Sequence, residues 1–179
     1  MAGPVAAAAV ILPSGFSCPG LNDSKKLSAL KREALFDRLT GDPEIVWAVA
    51  TVGSEEIDRL NILRATHLAM RRAVEALSST PDHCLIDGLP VREFPFPFDA
   101  IVKGDGLSLS IAAASIIAKV SRDRLMLEID REFPQFGFAR HMGYGTKIHL
   151  EALRTHGPCR HHRRSFQPVA QLSLPLDGA

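Results

Sequence analysis

Hydrophobic and polar positions fall along this chain in blocks of two kinds. Short, nearly continuous apolar runs occur at 4–12 (PVAAAAVIL), 45–52 (IVWAVATV), 83–88 (HCLIDG) and 98–106 (FDAIVKGDG). Runs of that length, bounded by Gly, Pro or Asp, predict buried strands. Elsewhere the apolar residues recur at helical spacing. Leu30, Ala34, Leu35 and Leu39 predict a helix in 22–40, capped by Ser28. Leu60, Leu63, Met70, Val74 and Leu77 predict one long helix over 55–78, closed by Pro81. A further helix is predicted from Ser108 or Ser110 to about Phe133, with Ala112, Ala113 and Ala114 small enough for close packing on a sheet. A last one follows Thr146 and stops at Gly157-Pro158. Strands first, then helices alternating with strands, predict an α/β domain.

Composition narrows this little. The 179 residues are 46% hydrophobic and 23% charged with net charge +1, ordinary for a globular domain. Bulk charge therefore names no partner. The apolar run Val5 to Leu12 has no basic segment before it and is short, so it reads as a strand and not as a signal. No stretch approaches the roughly 20 apolar residues of a membrane span. Cys18, Cys84 and Cys159 lie far apart, without disulfide or zinc spacing, and the cytoplasm is the expected compartment.

Two acids change the picture. Ligands of open α/β sheets sit at the carboxyl ends of strands. Asp87 follows Leu85-Ile86 and precedes Gly88; Asp105 sits between Gly104 and Gly106. Carboxylates there are costly unless paired or bound to a cation, and two on neighbouring strand ends invite Mg²⁺ or Mn²⁺. The competing readings are that both acids start turns, or that Lys103 neutralises one. Residues 138–164 form a second feature: six Lys or Arg against one acid, with five of the seven histidines. That local basic patch suits a phosphate backbone, and Tyr144, flanked by Gly143 and Gly145, suits stacking on a sugar or base. In 22–26, Asn22, Ser24, Lys25 and Lys26 are candidate phosphate contacts.

In order along the chain stand NDSKKL (22–27), EIDRLNIL (56–63), LIDG (85–88), KGD (103–105), SIAAASIIAKVSRDR (110–124), GYGT (143–146), HGP (156–158) and HRRSF (162–166). Together these resemble ribonuclease HII over nearly the whole chain. The resemblance implies a ribonuclease-H-like mixed sheet flanked by helices, with a helical C-terminal region. It implies an endonuclease that hydrolyses the RNA strand of RNA/DNA hybrids and incises DNA at embedded ribonucleotides, leaving 5′-phosphate and 3′-hydroxyl ends. Four carboxylates holding two Mg²⁺ or Mn²⁺ ions are expected, with Asp87 and Asp105 as two of them. Tyr144 looks like the tyrosine that stacks under the sugar at the RNA–DNA junction; Lys103, Arg163 and Arg164 are further nucleic-acid contacts. Asp123, within SRDR, reads as a structural ion-pair former. Leu107 and Met142 depart from the family's usual residues and are expected to weaken phosphate contacts.

The family pattern also has a central strand ending in DEAGRG ahead of AGPV, which here begins at Ala2. With it go two acids and the turn that reads the 2′-hydroxyl. This chain is therefore expected to show little or no hydrolytic activity, and a start site assigned too late is the expected origin. Residues 1–168 are expected to form the catalytic domain and 169–179 a tail. The tail's QLSLPL (171–176) resembles the peptide by which bacterial proteins dock on the sliding clamp, through Gln171, Leu172, Leu174 and Leu176. The alternative function is a non-catalytic module for hybrid nucleic acid, tethered to that clamp.

Overall fold

A computed structural model describes residues 1–21, 24 and 27–172. Strands β1 (Val5–Ile11), β2 (Val46–Val52), β3 (Cys84–Asp87) and β4 (Phe98–Ile101) are interleaved with helices. The helices are α1 (Ala29–Gly41), α2 (Ser54–Leu60), α3 (Ile62–Glu75), α4 (Leu109–Glu132), α5 (Phe138–His141), α6 (Lys147–His156) and α7 (Val169–Leu172). The chain divides into two compact units. One holds Ala6–Thr51 and Thr66–Ser121; the other holds Met1–Val5, Val52–Ala65 and the chain from Arg122 onward.

In the first unit the strands fall into two pairs, β1 with β2 and β3 with β4. Among the described residues no strand joins the pairs, so β1 and β3 each keep one edge without a strand neighbour. β3 and β4 run parallel, with Asp87 opposite Ile101. Two clusters form its core. Phe36 and Leu39 of α1 meet Ala113, Ile116, Ile117 and Val120 of α4, with Ala8, Val10 and Val49 of the sheet against them. The buried Ala112 and Ala113 supply the close approach that the small-residue run predicts. Cys84, Ile86 and Val91 pack with Met70, Val74, Phe94, Phe96 and Phe98. The second unit is helical around Ala2, Met126, Phe136 and Phe138.

The caps explain the helix boundaries. Ser28 Oγ accepts from the Lys31 amide and Thr146 Oγ from the His149 amide, each satisfying an orphan first-turn donor. Gly157, at φ +69°, ends α6. The predicted long helix over 55–78 is instead two. Asn61 adopts φ +72°, its amide closes α2 on the Ile57 carbonyl, and its Oδ1 accepts from the Arg64 amide to open α3. Asparagine adopts positive φ more readily than most side-chain-bearing residues and caps with its own side chain, so one residue does both. The buried stripe of α3 is correspondingly Ala65, Ala69 and Ala73, and Leu63 is exposed. Among the described residues no helix is long and apolar enough to cross a membrane.

Candidate active site

Both acids lie at the strand ends where the apolar runs place them. Asp87 closes β3, and Asp105 sits in the 3-10 turn Gly104–Gly106 just past β4. Because β3 and β4 are parallel, both project from the same, carboxyl end of the pair. Asp87 Oδ1 accepts from the Gly104 amide at 2.8 Å, which docks the Asp105 turn against the end of β3. The Gly88 amide donates to the Ile101 carbonyl at 3.0 Å and extends the pairing one step further. Gly104 is closely packed: a Cβ there would press on Ile111 Cδ1 at 2.5 Å and Ile101 Cβ at 3.3 Å. Lys103 holds a left-handed backbone at φ +59°, an uncommon state for a side-chain-bearing residue, which turns the chain sharply into Gly104.

The two acids differ in setting. Asp87 is exposed, whereas Asp105 is only 8% exposed. Among the described residues Asp105 has no hydrogen-bond or ion partner, and Lys103 is exposed and pairs with neither acid. A buried carboxylate without a counter-charge favours a cation. The donor set is hard oxygen, which fits Mg²⁺ or Mn²⁺ in kind. Among the described residues no group of three or more His, Cys, Asp or Glu is arranged to hold a metal ion. One or two carboxylates, with water and phosphate oxygens completing the shell, is the usual manner of Mg²⁺ binding.

The tyrosine belongs to the second unit. Tyr144 is 60% exposed, and the Arg122 guanidinium lies 5.5 Å from its ring centroid. Arg122 in turn donates from Nε to the Pro4 carbonyl and from one terminal nitrogen to the Met142 carbonyl, at 2.9 and 3.0 Å. Gly143, at φ +79°, tolerates no side chain: a Cβ would stand 2.4 Å from the Ala2 carbonyl oxygen. The turn is therefore a fixed pedestal under an exposed ring.

The basic stretch separates into surface and core. Arg140, Lys147, Arg154, Arg160 and Arg164 are exposed. Arg163 is buried; its Nε donates to the Gly3 carbonyl and its amide to the Met1 carbonyl. Burial, with Arg122 nearby, lowers its pKa to about 10. His141, His149 and His162 are also buried. Ser24 is buried and shares a hydrogen bond with Ser115 at 2.8 Å, while Asn22, Lys25 and Lys26 lie outside the described residues. Gln171 and Leu172 are exposed at the end of α7; Leu174 and Leu176 lie outside the described residues.

Four contributors carry little signal in the sequence. Arg122 was one charge among several in SRDR, and its partners lie up to 120 positions away. Asp58 accepts from the amides of Arg164 and Ser165 at 2.7 and 2.8 Å, fixing the HRRSF turn to α2. His149 and His162 pair through their Nε2 atoms at 3.0 Å. Only the clustering of histidines in 138–164 hinted at this.

The model of the family described as ribonuclease HII matches residues 1–169. A ribonuclease HII of Desulfitobacterium hafniense (strain DSM 10664 / DCB-2) is 56% identical over 171 residues, 96% of this chain. The chain spans 65% of that relative's length. The crystal structure of the ribonuclease H2 from Pyrococcus horikoshii OT3 superposes with a TM-score of 0.73 at 24% identity, covering 95% of this chain and 92% of that one. At that identity the likeness is one of fold. The RNase HII in a PCNA:RNase HII complex from Archaeoglobus fulgidus superposes with a TM-score of 0.63 at 26% identity, covering 86% and 81%.

Proposed function

This chain belongs to the ribonuclease HII family, and on that premise we propose that it binds RNA/DNA hybrids and DNA with embedded ribonucleotides at a divalent-metal endonuclease site. The observation that carries the reading is the juxtaposition of Asp87 and Asp105 at one end of a parallel strand pair, with Asp105 buried and unpartnered among the described residues. These two carboxylates would hold Mg²⁺ or Mn²⁺, which would supply water activation and charge neutralisation at a phosphodiester. The chain's own residues do the rest. Asp87 and the Gly104 amide keep the Asp105 turn in place. Tyr144, in the second unit, offers its exposed face to a sugar or base of the nucleic acid. Lys103 and Arg164, both exposed, meet the phosphate backbone. Arg163, buried on the Gly3 carbonyl, contributes by holding the HRRSF turn.

Clamp docking is part of the same proposal. An archaeal structural neighbour is captured with PCNA. Gln171 and Leu172 are exposed, and loss of clamp binding on deleting 171–176 tests it.

The test is cleavage of a duplex carrying one ribonucleotide, with Mn²⁺ or Mg²⁺. Metal-dependent cleavage is expected to fall at least about 100-fold in Asp105→Asn, since a misplaced or missing metal ligand costs orders of magnitude. An unchanged rate in the variant overturns this. Tight hybrid binding with no cleavage at all favours the binding-module reading.

A further inference from the structure

Four groups in the second unit form a chain of hydrogen bonds whose direction is fixed by its ends. The Cys159 amide lies 3.0 Å from His162 Nδ1, with the Cys159 thiol also 3.2 Å from that nitrogen. His162 Nε2 lies 3.0 Å from His149 Nε2, and His149 Nδ1 lies 2.8 Å from the Tyr144 carbonyl oxygen. An amide N–H only donates and a carbonyl only accepts. His162 must therefore accept at Nδ1 and donate from Nε2. His149 must accept at Nε2 and donate from Nδ1 to Tyr144. Each ring is neutral and each is held in a different tautomer. A proton added to either ring sets two N–H groups against each other somewhere along the chain.

The surroundings hold the rings in place. His149 and His162 are 0% and 1% exposed. His141 stacks on His149 with centroids 4.5 Å apart, and Phe138 and Phe136 present their rings to His149 and His162 at 5.3 and 4.8 Å. Tyr144 cannot hold itself, because most of its ring is in solvent. Its peptide is held instead: the amide donates to the His141 carbonyl at 2.8 Å, and the carbonyl accepts from Thr146 as well as from His149.

We propose that His149 and His162 are positioning residues, a one-way relay that fixes the Tyr144 peptide to the Cys159–His162 turn and so sets where the Tyr144 ring meets nucleic acid. This rests on the reading of Tyr144 given above for its consequence, and on the hydrogen-bond directions alone for its existence.

The test uses the full chain. Long-range proton–nitrogen NMR of the imidazoles at neutral pH is expected to show His149 protonated at Nδ1 and His162 at Nε2. The same tautomer on both rings overturns the relay. Two variants then separate placement from stability. Asparagine carries its amide nitrogen near the position of Nδ1, so His149→Asn keeps the donor to Tyr144. Glutamine reaches the Nε2 position, so His149→Gln keeps the His162 contact and loses that donor. Both are expected to lower the melting temperature similarly. His149→Gln is expected to move the Tyr144 amide and ring signals and to weaken binding of a labelled single-ribonucleotide duplex about fivefold to tenfold, the range for one lost hydrogen bond. His149→Asn stays within about twofold of the parent, as one retained hydrogen bond predicts. Equal Tyr144 signals and equal affinities in the two variants overturn the positioning role. If the parent chain does not bind the duplex, the proposed function fails, while the tautomers and Tyr144 signals still decide the relay.

Discussion

Asp105 and His149 are both buried polar side chains, yet His149 has a partner for each ring nitrogen and Asp105 has none among the described residues. Around Asp105 the polar groups have unused capacity. One Asp87 oxygen is spent on Gly104, and the strand ends nearby carry exposed Leu85, Val102 and Leu107. Around Tyr144 most polar groups are tied together: His149, His162, backbone carbonyls and two Arg122 nitrogens are paired, leaving one Arg122 terminal nitrogen and His141 Nδ1 buried without a partner among the described residues, and the tyrosine ring faces out. A closed network fixes geometry before a ligand arrives, and an unpaired buried charge calls for one. The first suits a surface that positions; the second suits a site that a cation completes.

The contrast is broken most severely at Gly143. Gly143→Ala places a methyl group 2.4 Å from the Ala2 carbonyl at φ +79°. A loss of about 3 kcal/mol is expected in urea melts, from backbone strain plus a clash with main chain. Gly15→Ala, also at positive φ but with open space around it, is the control and loses about 1 kcal/mol. Equal losses contradict the closed turn.

Acid attacks the same network. Burial holds His149 and His162 at about 4 instead of 6.5, with His141, His161 and the chain's amino group as the charged neighbours. Between those values the unfolded chain binds more protons than the folded one. Stability is therefore full above about pH 6.5 and declines as pH falls toward about 4, by about 3 kcal/mol for each ring. Urea midpoints across that range check this, and a flat profile contradicts it.

The open site is expected to respond less. Asp105→Asn in chelator is expected to stay within about 1 kcal/mol of the parent, because the carboxylate has no hydrogen-bond partner among the described residues to lose. A larger loss of stability instead means that the carboxylate already has a partner in the metal-free protein. The smallest effect is expected from Tyr144→Phe, within about 0.5 kcal/mol in the melt because the ring is largely exposed.

How much of this the sequence disclosed depends on how local each cause is. Ser28 and Thr146 cap their own helices three residues on, so the starts of α1 and α6 were legible. Asp87 and Asp105 follow short apolar runs beside glycines, and their place at strand ends was legible for the same reason. Asn61 was hidden because leucine and isoleucine flank it at helical spacing, and the pattern outweighed one polar residue. Arg163 was hidden because a basic run does not say which cation turns inward. That choice is made by the Gly3 carbonyl, 160 positions away. The His149–His162 pair is likewise a tertiary event, 13 positions apart and set by the turn that brings Cys159 beside His162.

The proposed metal site at Asp87 and Asp105 is tested most directly by titrating the full chain with Mn²⁺, read by calorimetry alongside Asp105→Asn, without depending on turnover. Saturable binding by the parent is expected, with an affinity at least about tenfold lower in the variant, as when one of two carboxylate ligands is lost. Equal Mn²⁺ affinity in the two proteins, or no binding by the parent, would contradict it.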